Sequence, residues 1–212
     1  MKFTRRQTLP MFGAAALVAG GGVVFRPADV AAQDLSTLME PGPLGEHIVG
    51  DPEAPVTIIE YASMTCPHCR SFHKEVYPII KEKYIDTGTA KLYFREFPFD
   101  PRSAAAFMLA ECAGEDKYFA MIDVLFEKQS VWARSENVVE ELFEISKFAG
   151  FTQESFLECL KNKELRDNVL AIQKKAAEEY GVDATPTFFI NGTKYSGNMS
   201  AEEMGKIIEA LV

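Results

Sequence analysis

A short apolar segment followed by two cysteines is the feature that most restricts how this chain can fold. Residues 56–61 (Val-Thr-Ile-Ile-Glu-Tyr) are mostly β-branched and apolar with little alternation, which is typical of a strand buried on both faces of a sheet. Cys66-Pro-His-Cys69 comes next and opens a helical pattern that runs to about Tyr84. The two thiols are therefore expected where a buried strand passes into a helix.

The segments on either side of this helix extend the pattern to a sheet. Residues 90–96 (Ala-Lys-Leu-Tyr-Phe-Arg-Glu) alternate and predict a second strand. Strand, helix and strand together form a unit that builds a parallel pair with a right-handed crossover. Residues 44–49 can add a short edge strand.

A long helical block then separates this unit from the next strands. Its apolar periodicity predicts helices over 103–113, 116–132, 137–149, 152–161 and 163–180. Two short strands follow, 187–190 and 193–196, joined by Asn191-Gly192, a strong hairpin signal. Ser200 and Glu203 have the spacing of a capping box and open a last helix.

This order of elements predicts an α/β protein with a thioredoxin fold and an inserted all-helical domain. Residues 33–54 would form an N-terminal leader. The thioredoxin-like domain would comprise 55–102 and 181–212, and the helical insertion 103–180.

The first 32 residues have the pattern of an export signal. Basic residues precede an apolar run over 11–25, and small residues at 30–32 offer a cleavage site after Ala32. A membrane anchor is the alternative, but the apolar run is shorter than the roughly 20 residues that a spanning helix needs. Arg5-Arg6 also fits a twin-arginine motif, and the export route stays open.

Export and charge together restrict the function. An exported protein works in an oxidising compartment, where cysteines can persist as disulfides. The formal net charge is −9, whereas phosphate contacts need clustered Lys and Arg, so nucleic acid is not an expected partner.

The position of the cysteine pair favours redox chemistry. Cys66 would lie at the N-cap or first position of its helix, where unpaired N–H groups and the helix dipole stabilise a thiolate. Pro67 suits the first turn because its missing N–H does no harm there. His68 adds a polar or cationic neighbour for the sulfur.

A Cys-x-x-Cys pair also has uses outside redox exchange. A zinc site could take Cys66, Cys69 and His73, but the chain has no second cluster of Cys and His. Haem attachment needs histidine at position 70, which is Arg70. A purely structural disulfide is a further alternative. His47 and His73 are interpreted as surface or packing residues.

These motifs together resemble the DsbA family of periplasmic thiol–disulfide oxidoreductases. The resemblance rests on Cys66-Pro-His-Cys69 after an apolar strand, on the helical insertion, and on Thr185-Pro186 before the Phe-Phe-Ile-Asn-Gly hairpin. It implies that Cys66 is the exposed nucleophile and Cys69 the buried resolving thiol. It also implies that Pro186 is cis and lies beside the cysteines, where the Thr185 backbone can pair with a bound peptide.

The resemblance further implies a buried acid beneath the cysteines. Glu60, six residues before Cys66, is in the matching position and could relay a proton to Cys69; a solvated strand residue is the alternative. Cys112 and Cys159, in the helical block, resemble the extra disulfide of an α-proteobacterial subgroup, with two unpaired buried thiols as the alternative.

The expected function is an oxidase that introduces disulfides into reduced exported polypeptides in the periplasm. The resemblance implies re-oxidation by a membrane partner of the DsbB type. A monomeric state and the lack of a cofactor are also expected. Thr185 replaces the valine of the best-known members and occurs also in isomerases and reductases, so a reductase or isomerase is one alternative. A thiol-based metal carrier or a holdase is an alternative of another class.

Overall fold

The computed structural model describes residues 33–212, so the expected signal peptide at 1–32 lies outside the described residues. Within 33–212, no helix combines the length and the apolar composition needed to cross a bilayer. The sheet has five strands in the order β1-β3-β2-β4-β5. Their bounds are β1 His47–Val49, β2 Val56–Ala62, β3 Ala90–Glu96, β4 Thr187–Ile190 and β5 Thr193–Ser196.

The central strand is β2, and every one of its residues is buried. It pairs in parallel with β3, with Ile58 opposite Leu92, and antiparallel with β4, with Ile58 opposite Ile190. Burial of both faces explains why this segment is apolar with little alternation. The strand, its parallel partner and a short edge strand within 44–49 were all predicted, and the sheet confirms them. The edge strand β1 runs antiparallel to β3.

The β4–β5 hairpin also follows its sequence signal. Asn191 and Gly192 both have positive φ, 44° and 86°, which the tight turn between the strands requires. The hairpin places β4 beside β2 and leaves β5 at the edge of the sheet.

Ten α-helical segments lie within the described residues. They are α1 Leu35–Leu38, α2 Pro67–Ser71, α3 Tyr77–Ile80, α4 Pro101–Cys112, α5 Tyr118–Glu127, α6 Gln129–Trp132, α7 Val138–Ser146, α8 Gln153–Lys161, α9 Lys163–Glu179 and α10 Ala201–Glu209. Short 3₁₀ turns precede α5 at Glu115–Lys117 and follow α7 at Lys147–Ala149. The capping box predicted for α10 is present, with Ser200 and Glu203 each accepting the other's backbone N–H.

Two helical predictions needed correction. The predicted helix over 116–132 divides at Lys128, which lets the Trp132 indole N–H donate to the Leu125 carbonyl at 2.8 Å while the ring is fully buried. The predicted helix after the cysteines is continuous but widens into π-helical turns at Phe72–Val76 and Lys81–Ile85. Pro78 lies between these turns, and its missing N–H disturbs the regular α-helical ladder there.

Helices cover both faces of the sheet. Alternate β2 residues, Val56 and Ile58, pack under the helix that follows the cysteines and under α10. The intervening residues, Ile59 and Tyr61, face α9. A third buried cluster fills the helical insertion and includes Cys69, so the core of the insertion is continuous with the site of the cysteines.

Candidate active site

The cysteine pair occupies the junction between β2 and α2. Cys66 is the N-cap of α2, with φ −78° and ψ 121°, and Pro67 is the first helical residue. The Cys66 carbonyl accepts the Arg70 N–H at 3.2 Å, which closes the first turn. Cys66 is partly exposed, whereas Cys69 is fully buried, and both are free thiols. One sulfur can therefore meet a substrate and the other cannot.

Several donors converge on the Cys66 sulfur and lower its pKa from 9.0 to about 5. The largest contribution is a hydrogen bond from the Cys69 thiol, followed by the Thr185 side chain and then by the backbone N–H groups of Cys69 and His68. Partial burial of Cys66 opposes these effects. The backbone donors are the unpaired N–H groups of the helix N-terminus.

The second sulfur behaves in the opposite way. Burial raises the pKa of Cys69 well above 9.0, and the hydrogen bond to Cys66 and the negative charges of Cys66 and Glu60 raise it further. At neutral pH the pair thus holds a thiolate at Cys66 and a thiol at Cys69. This asymmetry fits a nucleophile with a resolving partner.

The dipeptide between the cysteines is exposed to solvent. His68 reaches the Cys66 sulfur through its backbone N–H, and its imidazole makes no hydrogen bond to the residues at 33–212. The polar neighbour expected from His68 is therefore its main chain rather than its ring. Pro67 fixes the start of the helix without losing a hydrogen bond.

A loop from the far end of the chain completes the site. The Thr185-Pro186 peptide bond is cis. The Cys66 thiol donates to the Thr185 carbonyl oxygen at 3.3 Å. The buried Thr185 hydroxyl has no hydrogen bond within the described residues when both cysteines are thiols. That hydroxyl is therefore available to donate to a thiolate.

Glu60 lies below the cysteines and is completely buried. It belongs to the face of β2 that packs under the helix following the cysteines (67–85, called the cysteine helix below). The alternative of a solvated strand residue is therefore wrong. Its two oxygens both lie 3.1 Å from Nε2 of His73. The sequence pattern gave His73 no role beyond packing, although its position four residues after Cys69 places both on one face of the helix.

The helical insertion holds the cysteine loop from the other side. The Gln129 side-chain amide donates to the carbonyls of Met64 and Cys66 at 2.8 and 2.9 Å. Ser103 Oγ accepts the Met64 N–H at 2.9 Å. Asp100, the N-cap of α4, accepts the Thr65 hydroxyl. Sequence reasoning missed all of these residues, since no local motif marks a partner so distant in the chain.

The remaining two cysteines are bonded to each other. Cys112 and Cys159 form a disulfide with a Cα–Cα distance of 6.2 Å, so the alternative of two unpaired thiols is wrong. The bond joins the end of α4 to α8 within the insertion.

The geometry also bears on metal binding. Zinc ligation by Cys66, Cys69 and His73 does not match the site, because His73 Nε2 bonds Glu60. Among residues 33–212, one group of candidate metal ligands has its atoms within 4.8 Å of one another, namely His47, Glu96 and Glu111.

Comparison with known proteins places the chain in a family. A family model described as thioredoxin matches residues 44–210. The putative protein-disulfide oxidoreductase of Rickettsia bellii is 31% identical over 168 residues, which cover 77% of this chain and 65% of that protein. The probable disulfide bond formation protein D of Bacillus anthracis is 30% identical over 161 residues, covering 69% of this chain and 70% of that protein.

Solved structures agree with the sequence relatives. The crystal structure of alpha-DsbA1 from Wolbachia pipientis has a TM-score of 0.76 and 34% identity, and the match covers 82% of this chain and 94% of that chain. BdbD from Bacillus subtilis, with a TM-score of 0.70 and 24% identity over 78% of this chain and 92% of that one, shares the fold. The chain therefore belongs to the DsbA-like protein-disulfide oxidoreductases of the thioredoxin family. It spans about three fifths of the length of the curated rickettsial relatives that it matches.

Proposed function

We propose that the protein is a thiol–disulfide oxidoreductase that introduces disulfides into exported polypeptides. The observation that carries this proposal is the contrast between the two thiols of one helical turn. Cys66 is partly exposed and has a pKa of about 5, whereas Cys69 is buried and has a raised pKa. Because the thiolate is stabilised in the reduced pair, the corresponding disulfide accepts electrons readily.

The reaction begins with the Cys66–Cys69 disulfide. A substrate thiolate attacks the Cys66 sulfur, the bond between Cys66 and Cys69 breaks, and Cys69 leaves with the electron pair and takes up a proton. A second substrate thiolate then attacks the substrate sulfur of the mixed disulfide, and Cys66 leaves as a thiolate. The substrate has lost two electrons to the protein and has gained a disulfide.

The low pKa of Cys66 supports exchange in the oxidising direction. Each pKa unit below the ambient pH stabilises the dithiol by about 1.4 kcal/mol, or about 30 mV for a two-electron couple. A pKa about two units below pH 7 gives about 60 mV at most, and solvent screening at the half-exposed sulfur reduces this value. The effect still favours transfer of the disulfide to the substrate.

Location and partners follow from the family and from the N-terminal sequence. The protein would act in the periplasm after removal of residues 1–32, on reduced exported polypeptides whose backbone pairs with Thr185 next to cis-Pro186. A membrane protein of the DsbB type would re-oxidise the dithiol. The protein would work as a monomer, without a cofactor and without nucleic acid.

In this proposal the chain has two domains with different roles. Residues 55–102 and 181–212 would form the thioredoxin-like domain that carries both cysteines and cis-Pro186. Residues 103–180 would form the helical domain, braced by the Cys112–Cys159 disulfide, and residues 33–54 a leader into the sheet.

The decisive measurement is the equilibrium redox potential of the Cys66–Cys69 pair against glutathione. We expect a value above roughly −200 mV, closer to the value of about −120 mV for DsbA than to that of about −270 mV for thioredoxin. A potential near that of thioredoxin would favour the reductase or isomerase alternative.

The roles of the two cysteines are tested by replacing each with serine. Cys66→Ser should abolish oxidation of a reduced peptide, because the exposed sulfur that the peptide attacks is gone. Cys69→Ser, given a peptide that already carries a disulfide, should accumulate a mixed disulfide. The Cys66 thiolate attacks the peptide disulfide and displaces one peptide thiolate, and no Cys69 thiol is present to release the rest. Both products are resolved by non-reducing electrophoresis and mass spectrometry. A mixed disulfide formed by Cys66→Ser, or none formed by Cys69→Ser, would contradict the assigned roles.

A further inference from the structure

The imidazole of His73 lies beneath the cysteine pair and has no part in the exchange chemistry described above. Its Nε2 is 3.1 Å from both oxygens of Glu60, and the two side chains are 6% and 0% exposed. Phe126 stacks on the ring with a centroid distance of 4.4 Å, and Phe94 meets it edge-on at 5.4 Å. Packing from the helical insertion and from the sheet therefore fixes the ring against the carboxylate.

The other ring nitrogen faces a different environment. Nδ1 is buried and has no hydrogen-bond partner among the described residues. A pocket of about 320 Å³ opens beside the ring, between the cysteine helix and α5, and is large enough for water. The titratable and charged groups around the ring are Glu60 from β2, Asp123 and Glu127 from α5, and Arg70, Lys74, Tyr77 and Lys81 from its own helix.

The chemistry of Cys69 creates a need for a proton path. Cys69 must gain a proton each time it leaves as a thiolate and lose one each time it attacks the Cys66 sulfur. Cys69 and Glu60 are both 0% exposed, so neither exchanges protons directly with solvent. A third group has to connect this buried pair with water.

We propose that His73 carries the proton between Glu60 and the water of the adjacent pocket, a role that rests on the proposed exchange function. When Cys69 attacks, its thiol proton passes to a Glu60 oxygen and from there to Nε2 of His73. The proton on Nδ1 then leaves to water. The sequence reverses when Cys69 leaves as a thiolate. Only protons move along this path, since the electron pairs stay with the sulfurs.

The test isolates the step in which Cys69 acts. The protein is prepared as a mixed disulfide between Cys66 and glutathione, and release of glutathione by Cys69 is followed by rapid mixing at several pH values between about 5 and 8, a range that spans the ordinary titration of histidine. Glutamine can donate to Glu60 but cannot accept a proton from it, so His73→Gln should slow the release about tenfold or more. His47→Gln is the matched control, because His47 Nε2 also bonds a carboxylate, that of Glu111, at 2.7 Å. It should leave the rate unchanged.

A second variant separates proton transfer from mere positioning. Removing the ring in His73→Ala should slow the release, and imidazole added to the buffer should restore it in proportion to its concentration. The titration midpoint of Cys66 should stay within experimental error in both variants. A slow variant that imidazole does not accelerate, or a His73→Gln rate equal to that of the unmodified chain, overturns the proposal.

The unmodified protein distinguishes failure of the relay from failure of the exchange function. If the unmodified protein fails to release glutathione at all, the exchange function itself falls. If the unmodified protein releases glutathione normally and His73→Gln releases it at the same rate, only the proton relay is contradicted.

Discussion

The charge on one sulfur depends on groups from two distant parts of the chain. The backbone N–H groups of Cys69 and His68 come from the same helical turn, but Thr185 comes from the loop before β4. The thiol of Cys66 donates to the Thr185 carbonyl, and the free Thr185 hydroxyl can turn to the thiolate. Thr185 therefore contributes to the reactivity of Cys66, although it is 119 positions away.

We expect Thr185→Val to raise the pKa of Cys66 above about 5, because valine removes the hydroxyl and keeps the shape. A hydrogen bond to a charged group is worth about 1.5 kcal/mol, or about one pKa unit, and exposure of the sulfur reduces that value. The ultraviolet absorbance of the thiolate measures the midpoint. Thr193→Val on β5 is the matched control and should not move it. An unchanged midpoint in Thr185→Val would exclude the hydroxyl as a donor to the thiolate.

At the scale of elements, the helical insertion and the sheet meet at the cysteine loop. Gln129 begins α6 and spans the loop by bonding two of its carbonyls, those of Met64 and Cys66. Ser103, in the first turn of α4, binds the Met64 N–H in the same loop. The insertion thus helps to hold the loop that leads into Cys66, even though Cys66 is the N-cap of α2 and Cys69 lies within α2.

We expect Gln129→Ala to lower the free energy of unfolding by about 2 kcal/mol, because it leaves the buried Met64 carbonyl without its donor and removes one of the two donors to the Cys66 carbonyl. Hydrogen exchange at residues 63–66 should quicken, since the loop loses its clamp. Urea unfolding and exchange measured by mass spectrometry check both effects. Gln153→Ala, at the exposed start of α8, should change neither. Equal stability of the two variants would show that the clamp contributes nothing.

For the molecule as a whole, the stability of the folded state depends on the redox state through the Cys66 thiolate. In the reduced form, the pKa of Cys66 is about 5 when the chain is folded, and the ordinary cysteine value of 9.0 applies when it is unfolded. A depressed pKa contributes its full stabilisation of the folded state at pH values above the pKa of the unfolded state. This stabilisation decreases below that pH and is lost as the pH falls through the pKa of the folded state. The oxidised form has no thiol at Cys66 and lacks this contribution.

The second disulfide acts on both redox forms alike. Cys112 and Cys159 are separated by 47 positions, and a bond that closes a loop of this length stabilises the fold by about 4 kcal/mol on the chain-entropy view. Because the bond is present whether Cys66 and Cys69 are oxidised or reduced, it cancels when the two forms are compared. The difference in stability between them therefore reports on the Cys66–Cys69 pair.

We expect the stability advantage of the reduced form over the oxidised form to shrink as the pH falls from the ordinary cysteine value of 9.0 towards the folded value of about 5. The slope is at most about 1.4 kcal/mol per pH unit, because one proton is involved, and screening at the half-exposed sulfur makes it smaller. Denaturant unfolding of both redox forms at several pH values measures the difference. A difference that is flat over this range, or that grows toward low pH, would contradict a thiolate at Cys66.

Several elements could be predicted because their signals are local. Asn191-Gly192 and the Ser200–Glu203 box are each complete within a few residues, and each predicted its turn or helix start correctly. The division of the helix at Lys128 was missed, because it depends on where the Trp132 indole finds a buried carbonyl. Local propensity favours one long helix there, and tertiary packing overrides it.

The candidate active site likewise has features that could be predicted from the sequence and features that could not. The sequence by itself determined that two thiols stand at a helix start after a buried strand, since backbone N–H groups and the apolar pattern act over a few residues. Tertiary structure alone decided that Glu60 meets His73 and that Gln129 closes over the loop. These contacts depend on which faces pack together when apolar surface leaves water, and the linear order of residues does not state that geometry.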